Sequence, residues 1–376
     1  MKRLTQIKKI GNRASCLCLG VIVVIGSCSH PNNKTLSQKP IEVSTIPVKQ
    51  HIDSISLAAA LLPEFKTDPH INESQGNQLS GVVRTLFQDH QGNFWFGTQN
   101  GLCRYSDELI YFDIKDIHGE HITVKDITQD KDHNLWVAHS GGITKFDGEF
   151  FTHFSTKNGL LDNDAWAITT DHHNTVWVST LAGINTYDGT AFKTFDLPKA
   201  TIDTTRGVSS AYIVHSITKD DNDNLWFGTN GGAYRYDYKN LERLTTADGL
   251  CGNMVNTIIF DQQGQMWYAT VHNGLCMRQE DRDINISEKA GLVDKDVWSV
   301  IIDRKNDLWF SVKGIGIYHY DGVVFTLYDI DDGLAHLSMF KLLEDQQGRI
   351  WASGFGGAYR LENNRFVNVT RDGPWQ

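Results

Sequence analysis

The chain has 376 residues, with 35 basic and 45 acidic side chains and a formal net charge of −10. An acidic surface argues against nucleic acid as a partner, since phosphate binding needs clustered Lys and Arg, and against docking of the folded surface onto anionic lipid. Six cysteines in a chain of this length do not suffice to build a disulfide scaffold.

The first 27 residues have the composition of an export signal. They contain no acidic residue, five basic residues, and an apolar run at 17–25 that is too short to span a bilayer comfortably. Ile25, Gly26 and Ser27 then precede Cys28, an arrangement that resembles a bacterial lipobox. We therefore predict a lipoprotein signal peptide over 1–27 and lipid attachment at Cys28. The alternatives are an ordinary secretory signal and an uncleaved anchor, and all three place the rest of the chain outside the cytoplasm.

Residues 28–75 are predicted to form a tether. The segment begins with a polar stretch that has no periodic apolar pattern. Within it, residues 54–62 are apolar and are either a helix packed on the folded domain or part of the tether. The three cysteines beyond it, Cys103, Cys251 and Cys276, have no ligand-like spacing and are predicted to be small buried hydrophobic residues.

One pattern recurs from residue 79 onward. Each copy has a Trp, an Asp six residues before it, and a Gly six or seven residues after it. The Trp residues are separated by 41, 41, 49, 41, 42 and 42 positions: Trp95, Trp136, Trp177, Trp226, Trp267, Trp309 and Trp351. A period near 42 residues that contains several short strands is typical of a propeller blade.

Each copy is interpreted as four short strands. In the first copy, apolar segments at 82–88, 94–98, 101–105 and 108–112 are separated by turns rich in Asp, Asn and Gly. Such a sheet has two apolar faces, and blades arranged in a ring bury both of them, with the Trp between neighbours. We therefore predict an all-β fold over residues 76–376, a single seven-bladed β-propeller of four-stranded antiparallel blades.

The repeat resembles that of a known family. The pattern Asp-x-x-Gly-x-x-Trp-x-x-Thr-x-x-Gly runs from Asp89 to Gly101, and other copies add units such as Tyr320-Asp321-Gly322 and Asp248-Gly249-Leu250. This is similar to the two-component regulator propeller repeat, over nearly all of the chain after the tether. In that family such propellers are periplasmic sensors of membrane histidine kinases, commonly with two consecutive rings, and many respond to polysaccharide fragments.

The resemblance implies a ligand-binding sensor propeller. This sequence departs from the family pattern because it has one ring, no transmembrane helix after it, and no kinase or regulator region. We therefore expect a stand-alone binding protein that passes its information or its ligand to an envelope partner such as a sensor kinase.

Residues that are present in every copy are predicted to serve the blade itself. The repeated Asp is expected to accept backbone N–H groups within its turn. One carboxylate per blade lacks the several oxygens that Ca²⁺ requires. No metal site and no cofactor are therefore predicted.

The ligand-binding residues are expected where the copies differ. Eleven residues before each Trp, near the start of the innermost strand, lie Arg84, Lys125, Trp166, His215, Asn256, Trp298 and Phe340. The flanking positions are mostly Val or small residues, so this position is predicted to face the channel. Aromatic rings stack on sugars, and Arg, Lys and Asn donate to hydroxyls or carboxylates, which favours an oligosaccharide, including an acidic one. The alternative is that these side chains plug the channel or pack between blades.

The interval between Trp177 and Trp226 is longer than the others and carries extra residues at 196–206. Insertions in repeat proteins map to loops on one face, often the binding face. Arg206 is therefore added to the predicted ligand-binding residues, with a surface loop of no special role as the alternative.

The sequence offers little that favours catalysis. Streptogramin lyases are distantly similar to this repeat, but such chemistry needs a constellation of His and carboxylate groups. No Glu-x-His pair occurs, and His133, His139, His172 and His173 fall near blade turns, where solvated loop residues are expected. We predict a non-enzymatic, lipid-anchored ligand-binding propeller at the cell envelope of a Gram-negative bacterium. The alternatives are a protein-interaction scaffold and a streptogramin-lyase-like enzyme.

Overall fold

The computed structural model describes residues 44–47, 79–112, 114–200, 210–279, 283–292, 295–370 and 372–375. Within these ranges the chain forms seven antiparallel sheets, with three short 3₁₀ turns at Thr156–Asn158, Thr246–Asp248 and Ser287–Ala290. The predicted seven-bladed β-propeller with four antiparallel strands per blade is confirmed. None of the helical segments described is long and apolar enough to cross a membrane. The predicted signal peptide, Cys28, residues 54–62 and Arg206 lie outside the described residues.

Each blade uses four strands that are consecutive along the chain. The first strands are β2 (Val83–Gln88), β6 (Val124–Gln129), β10 (Ala165–Thr170), β14 (Val214–Lys219), β18 (Val255–Phe260), β22 (Val297–Ile302) and β26 (Met339–Glu344). The second strands are β3 (Phe94–Thr98), β7 (Leu135–His139), β11 (Val176–Thr180), β15 (Leu225–Thr229), β19 (Met266–Thr270), β23 (Leu308–Val312) and β27 (Ile350–Gly354).

The third and fourth strands lie farther from the axis. The third strands are β4 (Gly101–Tyr105), β8 (Gly142–Phe146), β12 (Gly183–Tyr187), β16 (Gly232–Tyr236), β20 (Leu275–Met277), β24 (Gly316–Tyr320) and β28 (Gly357–Glu362). The outer strands are β5 (Leu109–Phe112), β9 (Phe150–Phe154), β13 (Phe192–Phe195), β17 (Leu241–Leu244), β21 (Ile284–Asn285), β25 (Phe325–Tyr328) and β29 (Arg365–Val369). The first strands contact one another around the ring, including β2 with β26, and are therefore innermost.

The repeated Trp residues join each blade to the next. Trp95 of blade 1 packs in the same core as Val137 and Phe146 of blade 2. At the closure of the ring, Trp351 of blade 7 packs against Phe94 of blade 1, with the two ring centroids 4.4 Å apart. The first and last blades are thus joined through side-chain packing, with each blade supplying its own four strands.

Polar and aromatic contacts add to this closure. The backbone N–H of Gly356 donates to the carbonyl oxygen of Gly81 at 2.9 Å, and the backbone N–H of Gln346 donates to Oε1 of Gln88 at 2.7 Å. Trp375, beyond the last strand, stacks on Tyr105 of blade 1 with ring centroids 3.9 Å apart.

The repeated Asp holds its turn and its Trp together. In all seven blades the indole Nε1–H donates to Oδ2 of the Asp six residues earlier, at 2.8–3.1 Å. In blade 1 the other oxygen of Asp89 accepts the backbone N–H groups of Gln91 and Asn93. The Asp therefore accepts backbone N–H groups in its turn, as predicted, and also accepts the indole N–H.

Blade 2 has a fifth strand. β1 (Ser44–Pro47) pairs antiparallel with β9, with Ser44 opposite His153 and Pro47 opposite Phe150. The pairing covers an outer edge that would otherwise expose unpaired backbone groups. These four residues lie within the segment predicted as a tether over 28–75 and pair with the outer strand of blade 2.

Blade 5 contains a disulfide between Cys251 and Cys276. The prediction that all three cysteines of the folded domain are simple buried hydrophobic residues is wrong for this pair. The two residues are 25 positions apart, a spacing with no recognisable motif, and the blade brings their Cα atoms to 6.5 Å. Cys103 lies outside the disulfide and is buried in the core shared by blades 7 and 1.

Candidate functional site

A β-bulge occurs near the start of every innermost strand. In β2, Val83 pairs with Thr98 and Thr85 pairs with Gly97, so Arg84 is the extra residue of the bulge. The same register shift occurs in the other six blades, at Lys125, Trp166, His215, Asn256, Trp298 and Phe340. Side chains along a strand alternate between the two faces of its sheet. A bulge interrupts this alternation and so changes the direction of the side chain of its extra residue.

The seven bulge residues line one cavity of about 460 Å³ between the innermost strands. The sequence predicted this set as channel-facing, and the structure brings all seven side chains together. Six are partly exposed within the wall, and Asn256 is buried. A cavity of this size and mixed polarity is in the range of small-molecule sites.

Two aromatic rings of the wall are stacked on each other, and a cation lies near each of them. The rings of Trp298 and Phe340 are stacked, with centroids 5.2 Å apart and planes 7° apart. The guanidinium carbon of Arg84 lies 5.3 Å from the Phe340 ring, and Nζ of Lys313 lies 5.6 Å from the Trp298 ring. This group of residues spans blades 6, 7 and 1, and its cation–π contacts hold the aromatic rings in place.

Lys125 and Trp166 form a second cluster with Asp164. Nζ of Lys125 pairs with Oδ1 of Asp164 and lies 3.9 Å from the centroid of the Trp166 ring. The indole N–H of Trp166 donates to Oδ2 of the same carboxylate at 3.1 Å. Burial lowers the pKa of Lys125, Asp164 acts to raise it, and the positive charge of Arg84 acts to lower it. The cluster fixes the position of Trp166 in the wall.

Two polar residues of the wall are anchored on neighbouring groups. Nε2 of His215 lies 2.7 Å from Oδ1 of Asn230. The amide of Asn256 donates to the carbonyl oxygen of Val297, in the next blade, at 2.9 Å. These contacts orient both side chains before any ligand binds.

An ion pair inside the cavity was missed by the sequence reasoning. Nζ of Lys341 lies 3.7 Å from Oδ1 of Asp126, although blade 1 separates the two blades that carry them. Both residues line the cavity. They follow directly after the variable position, where the other five copies have Thr, Ala or Ser. The sequence did contain a signal for this ion pair, namely two oppositely charged residues at a position where the other copies have small residues.

The insertion between blades 3 and 4 borders a smaller pocket of about 210 Å³. Leu197, Pro198, Ala200 and Tyr212 contribute to its wall. Arg206 belongs to the same insertion but is outside the described residues, so its role stays a prediction.

His139 differs from the other histidines that the sequence placed near blade turns. His133 and His173 are exposed and His172 is half-buried, but His139 at the end of β7 is fully buried. Its Nδ1 accepts the N–H of Gly141 at 3.0 Å, and its Nε2 lies 2.7 Å from the hydroxyl of Thr144. Burial lowers the pKa of His139 well below its ordinary value, and the nearby His153 and Lys125 act in the same direction. The expectation of a solvated residue is wrong here.

One group of possible metal ligands occurs among the described residues, formed by Asp303, Asp307 and His319 in blade 6. Asp303 already accepts the indole N–H of Trp309 and two backbone N–H groups, and His319 contacts Asp307 at 3.0 Å. These contacts explain the cluster as part of the blade, and we assign no metal to it.

Comparison with known proteins agrees with the repeat pattern. The family profile of the two component regulator propeller matches residues 77–100 and 207–231, which contain the two inner strands of blades 1 and 4. A histidine kinase of Formosa agariphila is 39% identical over 77 residues, which are 18% of this chain. The matched region spans 6% of the length of that kinase.

Solved structures with the same architecture include lyases. Virginiamycin B lyase from Staphylococcus aureus superposes with a TM-score of 0.58 and 14% identity, over 74% of this chain and 93% of that chain. At this identity the likeness shows the shared fold alone. The extracellular domain of a hybrid two component system from B. thetaiotaomicron gives a TM-score of 0.39 and 19% identity, over 77% of this chain and 51% of that chain.

Proposed function

We propose that this propeller, which is of the two-component regulator type, is an exported sensor domain that binds its ligand in the central cavity. The observation that carries the proposal is the bulge, which in all seven blades aims a residue that varies from blade to blade at the same cavity. A position needed only for folding of the blade would carry one residue type throughout, as the Asp and Trp positions do.

An oligosaccharide is the ligand class that this wall suits best. The partly exposed rings of Trp166 and Trp298 offer flat apolar surfaces of the kind that pack against sugar rings. His215 and Asn256 add hydrogen-bonding groups on the remaining arc. A volume of about 460 Å³ accommodates a short oligosaccharide.

Thermal unfolding of the purified full chain against a panel of oligosaccharides and divalent metals tests this proposal. A ligand present at about one hundred times its Kd stabilises the folded state by about 2.7 kcal/mol. That gain raises Tm by roughly a few degrees in a domain of this size. A shift with one class of saccharide is the expected result, and no shift with any saccharide would contradict the proposal.

We also propose that the protein is held at the cell envelope by a lipid on Cys28. The support is the basic and then apolar N-terminal sequence and the small residues before this cysteine. The matched experiment is detergent phase partitioning of the chain expressed in a Gram-negative host, compared with Cys28→Ser. The wild type is expected in the detergent phase and the variant in the aqueous phase, and equal partitioning would contradict lipid attachment.

A protein-interaction scaffold is the second candidate. Val323 and Val324 are 84% and 56% exposed at the hairpin between β24 and β25, an unusual place for two adjacent apolar side chains. Crosslinking in the intact envelope, compared with Val323→Asp/Val324→Asp, tests this surface. A lyase activity has only the shared fold in its favour.

A further inference from the structure

The charge of the cavity wall is opposite to that of the whole chain. Arg84, Lys125 and Lys341 line the cavity together with one acidic residue, Asp126, an excess of two positive charges. Asp164 pairs with Lys125, and the charge of Asp162 also acts on it, so the positive excess belongs to the residues that line the cavity and not to their wider surroundings. The chain as a whole has a net charge of −10. The cavity therefore places three cations within a protein that is acidic as a whole.

The three cations are held in different ways. Lys125 is largely buried and is paired with Asp164. The side chain of Lys341 is 43% exposed and contacts Asp126 at 3.7 Å. Ion pairs that are exposed to solvent contribute little to stability, so this lysine can exchange partners. Arg84 lies over the ring of Phe340, the residue next to Lys341, so these two cations are on neighbouring blades and face the same cavity.

We propose that the ligand of this cavity is an anionic saccharide whose acidic group is bound by Arg84 and Lys341. The inference rests on the proposed function and adds the charge of the ligand. Partly buried cations lose hydration. An anion compensates for this loss through charge-assisted hydrogen bonds, and a neutral sugar compensates for less of it. The ring of Trp166 provides apolar surface for a sugar in the same site.

The test uses calorimetric titration of the purified full chain with three probes of equal length: a trigalacturonate, a sulfated galactan trisaccharide and a neutral galactan trisaccharide. The expected result is that one anionic probe binds at least about tenfold more tightly than the neutral probe. The two anionic arms distinguish carboxylate from sulfate. We also expect the anionic probe to bind more weakly when NaCl is raised from about 50 mM to about 500 mM, because added salt screens the attraction.

A pair of variants separates the cavity cations from surface charge. Arg84→Gln/Lys341→Gln is expected to remove the preference for the anionic probe. Lys193→Gln, which removes a lysine whose side chain is 68% exposed on an outer strand, is expected to keep it. If the double variant does not unfold cooperatively, the salt dependence of anionic-probe binding to the wild type decides whether charge holds the ligand.

The outcomes distinguish this inference from the function on which it rests. Binding of the neutral probe as tight as that of both anionic probes would overturn the anionic ligand and leave a saccharide-binding propeller. Binding of an anionic probe that is independent of salt would also overturn it. Absence of binding by all three probes would overturn the inference, and the Tm shifts with the wider saccharide panel would then decide the proposed function.

Discussion

The indole N–H of Trp136 donates to Oδ2 of Asp130 at 2.8 Å, and both side chains are buried. The contact joins the turn between β6 and β7 to the Trp that packs against blade 3. It therefore couples the local structure of one blade to the interface with the next, and its equivalent occurs in every blade.

We predict that Asp130→Asn destabilises the domain by about 1–3 kcal/mol. The amide oxygen of the Asn can still accept the backbone N–H groups of the turn, but its NH₂ group then faces the buried indole N–H, and both groups are donors. Urea denaturation measures the effect. Asp321→Asn is the matched control, because that exposed carboxylate accepts the backbone N–H groups of Val323 and Val324 in a hairpin that contains no Trp. Equal effects of the two substitutions would contradict the role given to the indole contact.

Gly142→Ala is expected to lower the free energy of unfolding by at least about 3 kcal/mol. Gly142 has φ +126°, and a Cβ there would lie 2.1 Å from the carbonyl oxygen of Phe154. Gly148→Ala is the control, since Gly148 has φ +100° but no atom within 4 Å of the added Cβ, so only the backbone strain of about 1–2 kcal/mol remains. Chemical denaturation of both variants gives the difference, and a larger cost at Gly148 would contradict this account.

The disulfide of blade 5 is expected to stabilise the fold by about 3 kcal/mol, because it closes a loop of 25 residues in the unfolded chain. Peptide mapping without reduction should recover Cys251 linked to Cys276. The double variant Cys251→Ser/Cys276→Ser should unfold at a lower denaturant concentration than the wild type, whereas Cys103→Ser tests a buried thiol outside the disulfide. Recovery of Cys103 in a mixed linkage would show that the pairing is wrong.

Stability is predicted to fall as the pH is lowered below 6.5 because of His139. Its pKa in the folded state is well below the ordinary value of 6.5, so the unfolded chain binds more protons there and is favoured. The slope from this one group reaches at most about 1.4 kcal/mol per pH unit. Denaturation between pH 7 and pH 5 should show a shallower slope for His139→Gln than for the wild type. An unchanged slope for His139→Gln would contradict the assignment.

Much of the fold was predictable because seven copies of one register repeat in the sequence. The positions of Arg84 and its six counterparts were predictable because they vary between copies, whereas most of the flanking positions are apolar or small. The bulge that aims them was not, since it depends on the pairing of two strands rather than on either strand alone. The Asp126–Lys341 contact, the Cys251–Cys276 disulfide and the fifth strand at Ser44–Pro47 each join segments that are distant in sequence, with no spacing to mark them.

The seven bulge residues are proposed to bind the ligand. The most direct test is thermal unfolding of the wild type and of Arg84→Ala/Trp166→Ala, measured side by side against the same saccharide panel. We predict a Tm increase of roughly a few degrees for the wild type with one saccharide class, and no increase for the double variant, which still unfolds cooperatively. An equal increase in both proteins would place the binding site elsewhere, and a double variant that does not fold would show that these side chains support the ring rather than a ligand.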